Sequence, residues 1–227
     1  KLITIYKAQD KIKEALILCD DLIDLDPFEI RNLIFKAEIL RDLTERCKFI
    51  EGYQTKFNDS YQFHNYLLSN AIDEFSYTKN TSVFSLDFLL ETADKSLQLE
   101  PSLDNISWTF KLDILDLKFN DKSDKKATTE KAEIIKEHLK KAESINDKHT
   151  KYLRMSLHSS LIENDYQNIK NKFSHILNVY ETSPKIKKNI LLSIICDKYP
   201  SLSEYENNSL FHNDWSEFLE NEFIKAL

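Results

Sequence analysis

Glycine is almost missing from this chain: Gly52 is the only one in 227 residues. Glycine supplies positive φ in tight turns and lets backbone approach phosphate closely. Its scarcity argues against a doubly wound nucleotide-binding fold, against glycine-rich phosphate loops and against a sandwich of hairpins. Proline is nearly as rare, at Pro27, Pro101, Pro184 and Pro200. So few breakers favour long helices joined by short loops. The three cysteines, Cys19, Cys47 and Cys196, are odd in number and widely spaced. They do not read as a disulfide framework or a zinc site. Cys19 reads as a buried thiol, and a reducing compartment is expected: the cytoplasm, with the nucleus as the second choice. No apolar run approaches the length of about eighteen residues needed to span a membrane. Positive charge is not in excess: 31 Lys and Arg stand against 38 Asp and Glu, a net charge of −7. That disfavours a general affinity for nucleic acid, which requires phosphate neutralisation. The sequence begins at Lys1 rather than methionine, so a missing targeting signal carries no weight.

Catalytic signatures are also lacking. The histidines, His64, His138, His149, His158, His175 and His212, form no His-Glu-x-x-His motif, and there is no Cys-x-x-Cys pair. Asp20-Asp21 and Asp24 to Asp26 lack the ligand spacing of a calcium loop. Serines, histidines and acids are plentiful, but nothing local assembles them into a triad. Asn-x-Ser/Thr matches at Asn58, Asn80, Asn105 and Asn207 are expected by chance in so Asn- and Ser-rich a chain. The expectation is a non-enzyme without cofactor or metal.

What is present is helical periodicity. Ile12, Ala15, Leu16, Cys19, Leu22 and Ile23 recur in steps of three and four, which predicts a helix over 3–25. Asp26 is placed to cap the next helix, with Pro27 in its first turn and Glu29 completing a capping box. That helix is predicted to run through Ile30, Leu33, Ile34, Ala37, Leu40 and Leu43. A loop follows near 50–60. Residues 61–77, rich in Tyr and Phe, predict a further helix. The next covers Leu86 to Leu97, and its partner begins near Pro101 and passes through Ile106, Phe110, Ile114 and Leu117. Asp121 to Thr129 reads as a solvated loop. A helix from Glu130 to Ile145 follows, then helices near 149–162 and 165–180. Ser183 and Pro184 open another helix, and Ser201 with Glu204 forms a last capping box. Trp215, Phe218, Leu219, Phe223 and Ile224 mark an amphipathic C-terminal helix near 213–227, suited to cap the end of a stack.

Leu25-Asp26-Pro27 and Leu99-Glu100-Pro101 each follow one amphipathic helix and open another, and Ala142 to Asp147 does so without proline. Within 151–183, Leu153, Leu157, Asn164-Asp165-Tyr166, Ile169, Phe173, Ile176 and Leu177 form a similar unit. Ile135, Leu139 and Ala142 stand one unit before Ile169, Phe173 and Ile176. This pattern resembles the tetratricopeptide repeat family, whose unit is a helical hairpin of roughly 34 residues. Pro27 and Pro101 lie 74 residues apart, more than two such units, and Ile169 stands where the family carries alanine.

The resemblance implies an all-α fold, a right-handed α-α superhelix of about nine to eleven helices, in a single helical-repeat domain over 1–227. It implies a scaffold or adaptor that binds a protein or peptide through the first helix of each hairpin. The family's groove positions carry onto Lys151, Arg154 and His158, whose charge suits an acidic or carboxylate-bearing peptide. The corresponding line in the first unit is Arg31, Ile34, Glu38 and Arg41. The alternative is a non-catalytic subunit of an enzyme complex, similar to the helical-repeat subunits of prenyltransferases or acetyltransferases. No direct binding to nucleic acid and no membrane insertion are expected.

Overall fold

A computed structural model describes residues 2–78, 82–119, 125–149, 151–153, 155, 156, 159 and 171. All regular structure among them is helical: α1 (Leu2–Ala8), α2 (Ile12–Leu25), α3 (Ile30–Ile39), α4 (Leu43–Glu51), α5 (Tyr61–Thr78), α6 (Leu86–Leu99), α7 (Ser107–Lys118) and α8 (Lys125–Asn146). Backbone at 151–153 is helical again. The chain divides into two compact units, Lys1–Lys131 and Ala132–Leu227.

In the first unit each helix from α1 to α7 packs on the next, and α5 also touches α7. Its main core joins Leu33 and Ala37 of α3, Cys47 and Ile50 of α4, Phe63, Leu67, Leu68 and Ala71 of α5, Leu89 and Ala93 of α6 and Ile114 of α7. Burying each large apolar side chain there contributes roughly 1.5–3 kcal/mol before entropy is subtracted. A smaller cluster of Ala15, Cys19 and Ile39, covered by Ile3 and Tyr6, holds α1 to α2 and α3. Helix α7 buries Ser107, Trp108, Leu112, Ile114 and Leu115, which lie on more than one face. That fits an element with two helical neighbours.

Several boundaries differ from the sequence expectation, each for a local reason. The helix expected over 3–25 is two helices. Asp10 has φ 56°, and the Lys11 amide donates to the Tyr6 carbonyl at 2.9 Å while the Asp10 amide donates to Lys7 at 3.2 Å. This is a left-handed helix end of the kind glycine usually makes, and aspartate is one of the few other residues to adopt it. The helix expected to pass through Leu40 and Leu43 is also interrupted. Leu40 is extended at φ −67°, ψ 112°, and the Asp42 carboxylate accepts the Glu45 amide at 2.8 Å to start α4. Arg46 donates to the freed Leu40 carbonyl at 2.7 Å. Helix α3 is capped by Glu29, which accepts the Arg31 amide; Asp26 instead closes the turn by accepting Phe28 N–H at 3.3 Å.

Helix α7 begins at Ser107, six residues after Pro101, because Ser102 to Ile106 form a turn first. Helix α8 starts at Lys125, so 125–129 is helical rather than loop. Lys131 of α8 pairs with Asp116 of α7 at 2.8 Å. The aromatic helix and the helix beginning at Leu86 fall where expected, and the latter is capped by Ser85 accepting the Phe88 amide at 3.2 Å.

The two proline turns are built alike. At the first, Asn32 Nδ2 donates to the carbonyls of Leu22 at 2.9 Å and Asp26 at 3.3 Å. At the second, Asn105 Nδ2 donates to those of Ser96 at 3.1 Å and Glu100 at 2.7 Å. The capping residues share one conformation, φ −136°, ψ 87° at Asp26 and φ −140°, ψ 91° at Glu100. In both, the acidic side chain accepts the amide two residues on, Phe28 or Ser102.

In the second unit Ile135, His138, Leu139, Ala142, Leu153 and Met155 are buried. Apart from residue 171, which is helical, the helix expected near 165–180 lies outside the described residues, as do the helix beyond Ser183 and the capping helix near 213–227 with Trp215, Phe218, Leu219, Phe223 and Ile224.

Candidate functional site

Of the three positions carried over from the repeat resemblance, Lys151 is described and Arg154 and His158 lie outside the described residues. Lys151 is half-buried in the first turn of its helix, where its amide donates to His149 Nδ1 at 3.2 Å. Burial, with Glu143 and then Asp147 nearby, pushes the Tyr152 hydroxyl up to about 12. On α3, Arg31 and Glu38 are exposed and Ile34 is half-buried on the same flank. Arg41 lies beyond the helix end, paired with Asp10 at 2.5 Å.

The first unit contains a cleft of about 150 Å³ that sequence reasoning did not find. Its making starts with the turn after α4. Phe49, Tyr53, Phe57 and Phe63 form a run of rings with centroids 5.1, 6.5 and 5.4 Å apart. Phe57 is buried and stacks on Phe63 of α5, so residues 52–59 fold onto the core as successive turns. This brings the Asn58 carbonyl to His64 Nε2 at 2.8 Å. A carbonyl only accepts, so Nε2 carries the proton and Nδ1 is a bare acceptor.

His64 is only 6% exposed, and its Nδ1 is buried without a hydrogen-bond partner. Burial lowers its pKa from the ordinary 6.5; the Asn58 carbonyl opposes the shift, Lys95 assists it and Asp59 opposes it. The ring is therefore neutral at neutral pH. Leu67 and Phe88 give the cleft apolar wall, and Gln54, Glu91, Thr92 and Lys95 give it polar groups. Thr92 spends its hydroxyl proton on the Phe88 carbonyl at 2.8 Å, leaving its oxygen able to accept. The Lys95 ammonium donates to Asn58 Oδ1. No short motif marks this site, because its members come from three elements; the only local signal is the burial pattern of Phe57 and Phe63.

No protein-family model matches the chain, and no curated protein matches it. Among the described residues no cluster of three or more His, Cys, Asp or Glu is arranged to hold a metal, and no helix is long and apolar enough to cross a membrane.

Two other buried polar groupings of the first unit tie its helices together. Buried Glu74 accepts the Val83 amide at 3.3 and 3.2 Å and the Thr44 hydroxyl at 3.2 Å, tying α4, α5 and the entry to α6 together. Asn65 Oδ1 accepts from Ser96 at 3.0 Å and Ser107 at 2.6 Å, joining α5, α6 and α7.

Proposed function

We propose that this chain is a protein-interaction scaffold or adaptor built from tetratricopeptide-like helical hairpins. The observation that carries the reading is the twin turn. An Asp or Glu cap in one conformation and the proline after it recur 74 residues apart, with an asparagine clamp four or five residues beyond each proline, which is what a stack of related hairpins produces. Consecutive packing of α1 to α7 supports it. A stack of this kind presents a broad groove on one side, and its polar positions select the partner. Lys151, Arg154 and His158 are the proposed contacts for an acidic or carboxylate-bearing peptide, in the cytoplasm or nucleus.

The test is crosslinking capture of partners with the wild-type chain and a Lys151→Ala, Arg154→Ala variant. Loss of a specific partner in the variant supports the assignment. Equal recovery of every partner removes these residues from the contact surface.

The alternative, a subunit of an enzyme complex, draws on the exposure of Leu25 at 82% and Phe28 at 73% beside the first turn. It requires a stoichiometric partner that stays bound through purification.

A further inference from the structure

We infer that the outward face of α2 docks a helical segment of a partner protein, one carrying a lysine or arginine with an apolar residue one turn away on either side. The inference goes beyond the scaffold reading, because it concerns a surface that Lys151, Arg154 and His158 do not form.

Helix α2 turns Ala15, Cys19 and Ile23 inward, and it packs on α1 and α3. The opposite side of such a helix usually carries polar groups. Here Ile17 is 62% exposed and Leu25 82%. Both stand four residues from exposed Asp21, so the three form one column along the helix. The apolar ends of the column lie roughly 12 Å apart at 1.5 Å of rise per residue. Phe28, 73% exposed, follows in the turn beyond Leu25. A single exposed apolar residue is ordinary; a pair bracketing a charge at helical spacing is a pattern that a partner helix can read.

The charge around the column is one-sided. Glu14 and Asp24 flank it and are exposed. Neither they nor Asp21 have an ion-pair partner among the described residues. Of the acids on α2, only Asp20 is paired, with Lys36. Lys13, the single lysine of the helix, stands two turns from Asp21. Lys56 lies 4.9 Å from the centre of the Phe28 ring, so the acidic stretch ends there.

This sign selects the occupant. Anionic lipid and nucleic acid are repelled. A second copy set face to face about a twofold axis brings Asp21 and Asp24 against their own kind. An extended basic tail satisfies the acids but offers no ordered apolar pair to Ile17 and Leu25. A helix with a cation between two apolar residues meets all three positions of the column at once.

The experiment titrates the ¹⁵N-labelled full chain with an alanine- and glutamine-based helical peptide carrying Leu, Lys and Leu at four-residue spacing. The α2 amides are followed by NMR. Parallel peptides carry Leu, Glu and Leu, or Ala, Lys and Ala. The expected result is saturable shifts over 14–25 with the Leu-Lys-Leu peptide, at an apparent affinity about tenfold above either of the others. Leu25→Ser should lower that affinity about tenfold, and Asp21→Lys should make the Leu-Glu-Leu peptide the better ligand. Both positions are exposed, so neither change touches the core. No saturable shift in α2, an equal response to the Glu or Ala peptide, or an unchanged preference in Asp21→Lys overturns the assignment. So does self-association of the wild type that Leu25→Ser abolishes, which gives the face to a second copy. The two readings fail separately. Captured partners with no peptide response in α2 remove this face and leave the scaffold. A saturating Leu-Lys-Leu peptide with no captured partner does the reverse.

Discussion

Asn105 reaches the Ser96 and Glu100 carbonyls as Asn32 reaches those of Leu22 and Asp26, although it stands one residue nearer its proline. Asn32 projects from α3, which has already begun. Asn105 lies in the turn before α7, where its own Oδ1 also accepts the Ser107 amide at 3.0 Å. One side chain thus closes the end of α6 and guides the start of α7.

The two clamps should differ in worth. Asn105 is 3% exposed, and its removal leaves buried carbonyls and the Ser107 amide without it. Asn105→Ala is expected to cost about 2–3 kcal/mol, and the half-exposed Asn32→Ala about 1 kcal/mol. Urea denaturation of the two variants checks the order; equal losses would show that burial adds nothing to the worth of the second clamp.

His64 gives stability a pH dependence of known sign. Its folded pKa is lowered from 6.5, so the unfolded chain binds the proton first as pH falls. The contribution of the neutral ring is complete above about pH 6.5 and is lost as pH drops through that value toward the folded one. Urea midpoints measured between pH 7.5 and 5.5 should fall more steeply for the wild type than for His64→Gln. A variant with the same slope would mean that other groups govern this range.

Cys47 should be chemically silent in the folded chain. Its thiol is buried, and desolvation, followed by the nearby Glu74, pushes it up to about 12. Thiolate is the reactive form. Cys19 is buried as well, and its pKa is likewise raised by burial. Peptide-resolved mass spectrometry after brief iodoacetamide treatment should find both unmodified in buffer and modified in denaturant.

Gly52 should be replaceable. It sits at φ −59°, ψ −15° at the end of α4, and an added Cβ would lie 3.5 Å from the Phe49 carbonyl oxygen, an ordinary contact. Gly52→Ala is expected to stabilise by about 0.4–1 kcal/mol through the unfolded chain. A fall in the thermal midpoint would show that the turn needs glycine after all.

These residues also show what the sequence could reveal. Apolar spacing placed α5 and α6 because their stripes are uninterrupted, at Leu67, Leu68 and Ala71 and at Leu89 and Ala93. The break at Asp10 was hidden because the residue adopting positive φ is not glycine. The break at Leu40 carried a signal, Asp42 three residues before Glu45, that was masked by the continuing pattern of Leu40 and Leu43. The start of α8 was missed because 125–129 is polar, with half-buried Ala127 the only apolar residue. The cleft around His64 was illegible for another reason: it depends on Phe57 folding a turn onto Phe63, and periodicity says nothing of where an irregular segment lands.

The neighbour-to-neighbour packing of α1 to α7 has a consequence for how this part of the chain comes to be folded. Nearly every helix finds its main partner within the preceding few dozen residues, so little loop-closure entropy stands between synthesis and docking. During translation α2 can settle on α1 and α3 on α2 while later segments are still unmade. The Glu74 carboxylate marks a checkpoint in that order. It is buried with the Val83 amide as a partner, so the end of α5 has its full set of bonds only after the entry to α6 has emerged.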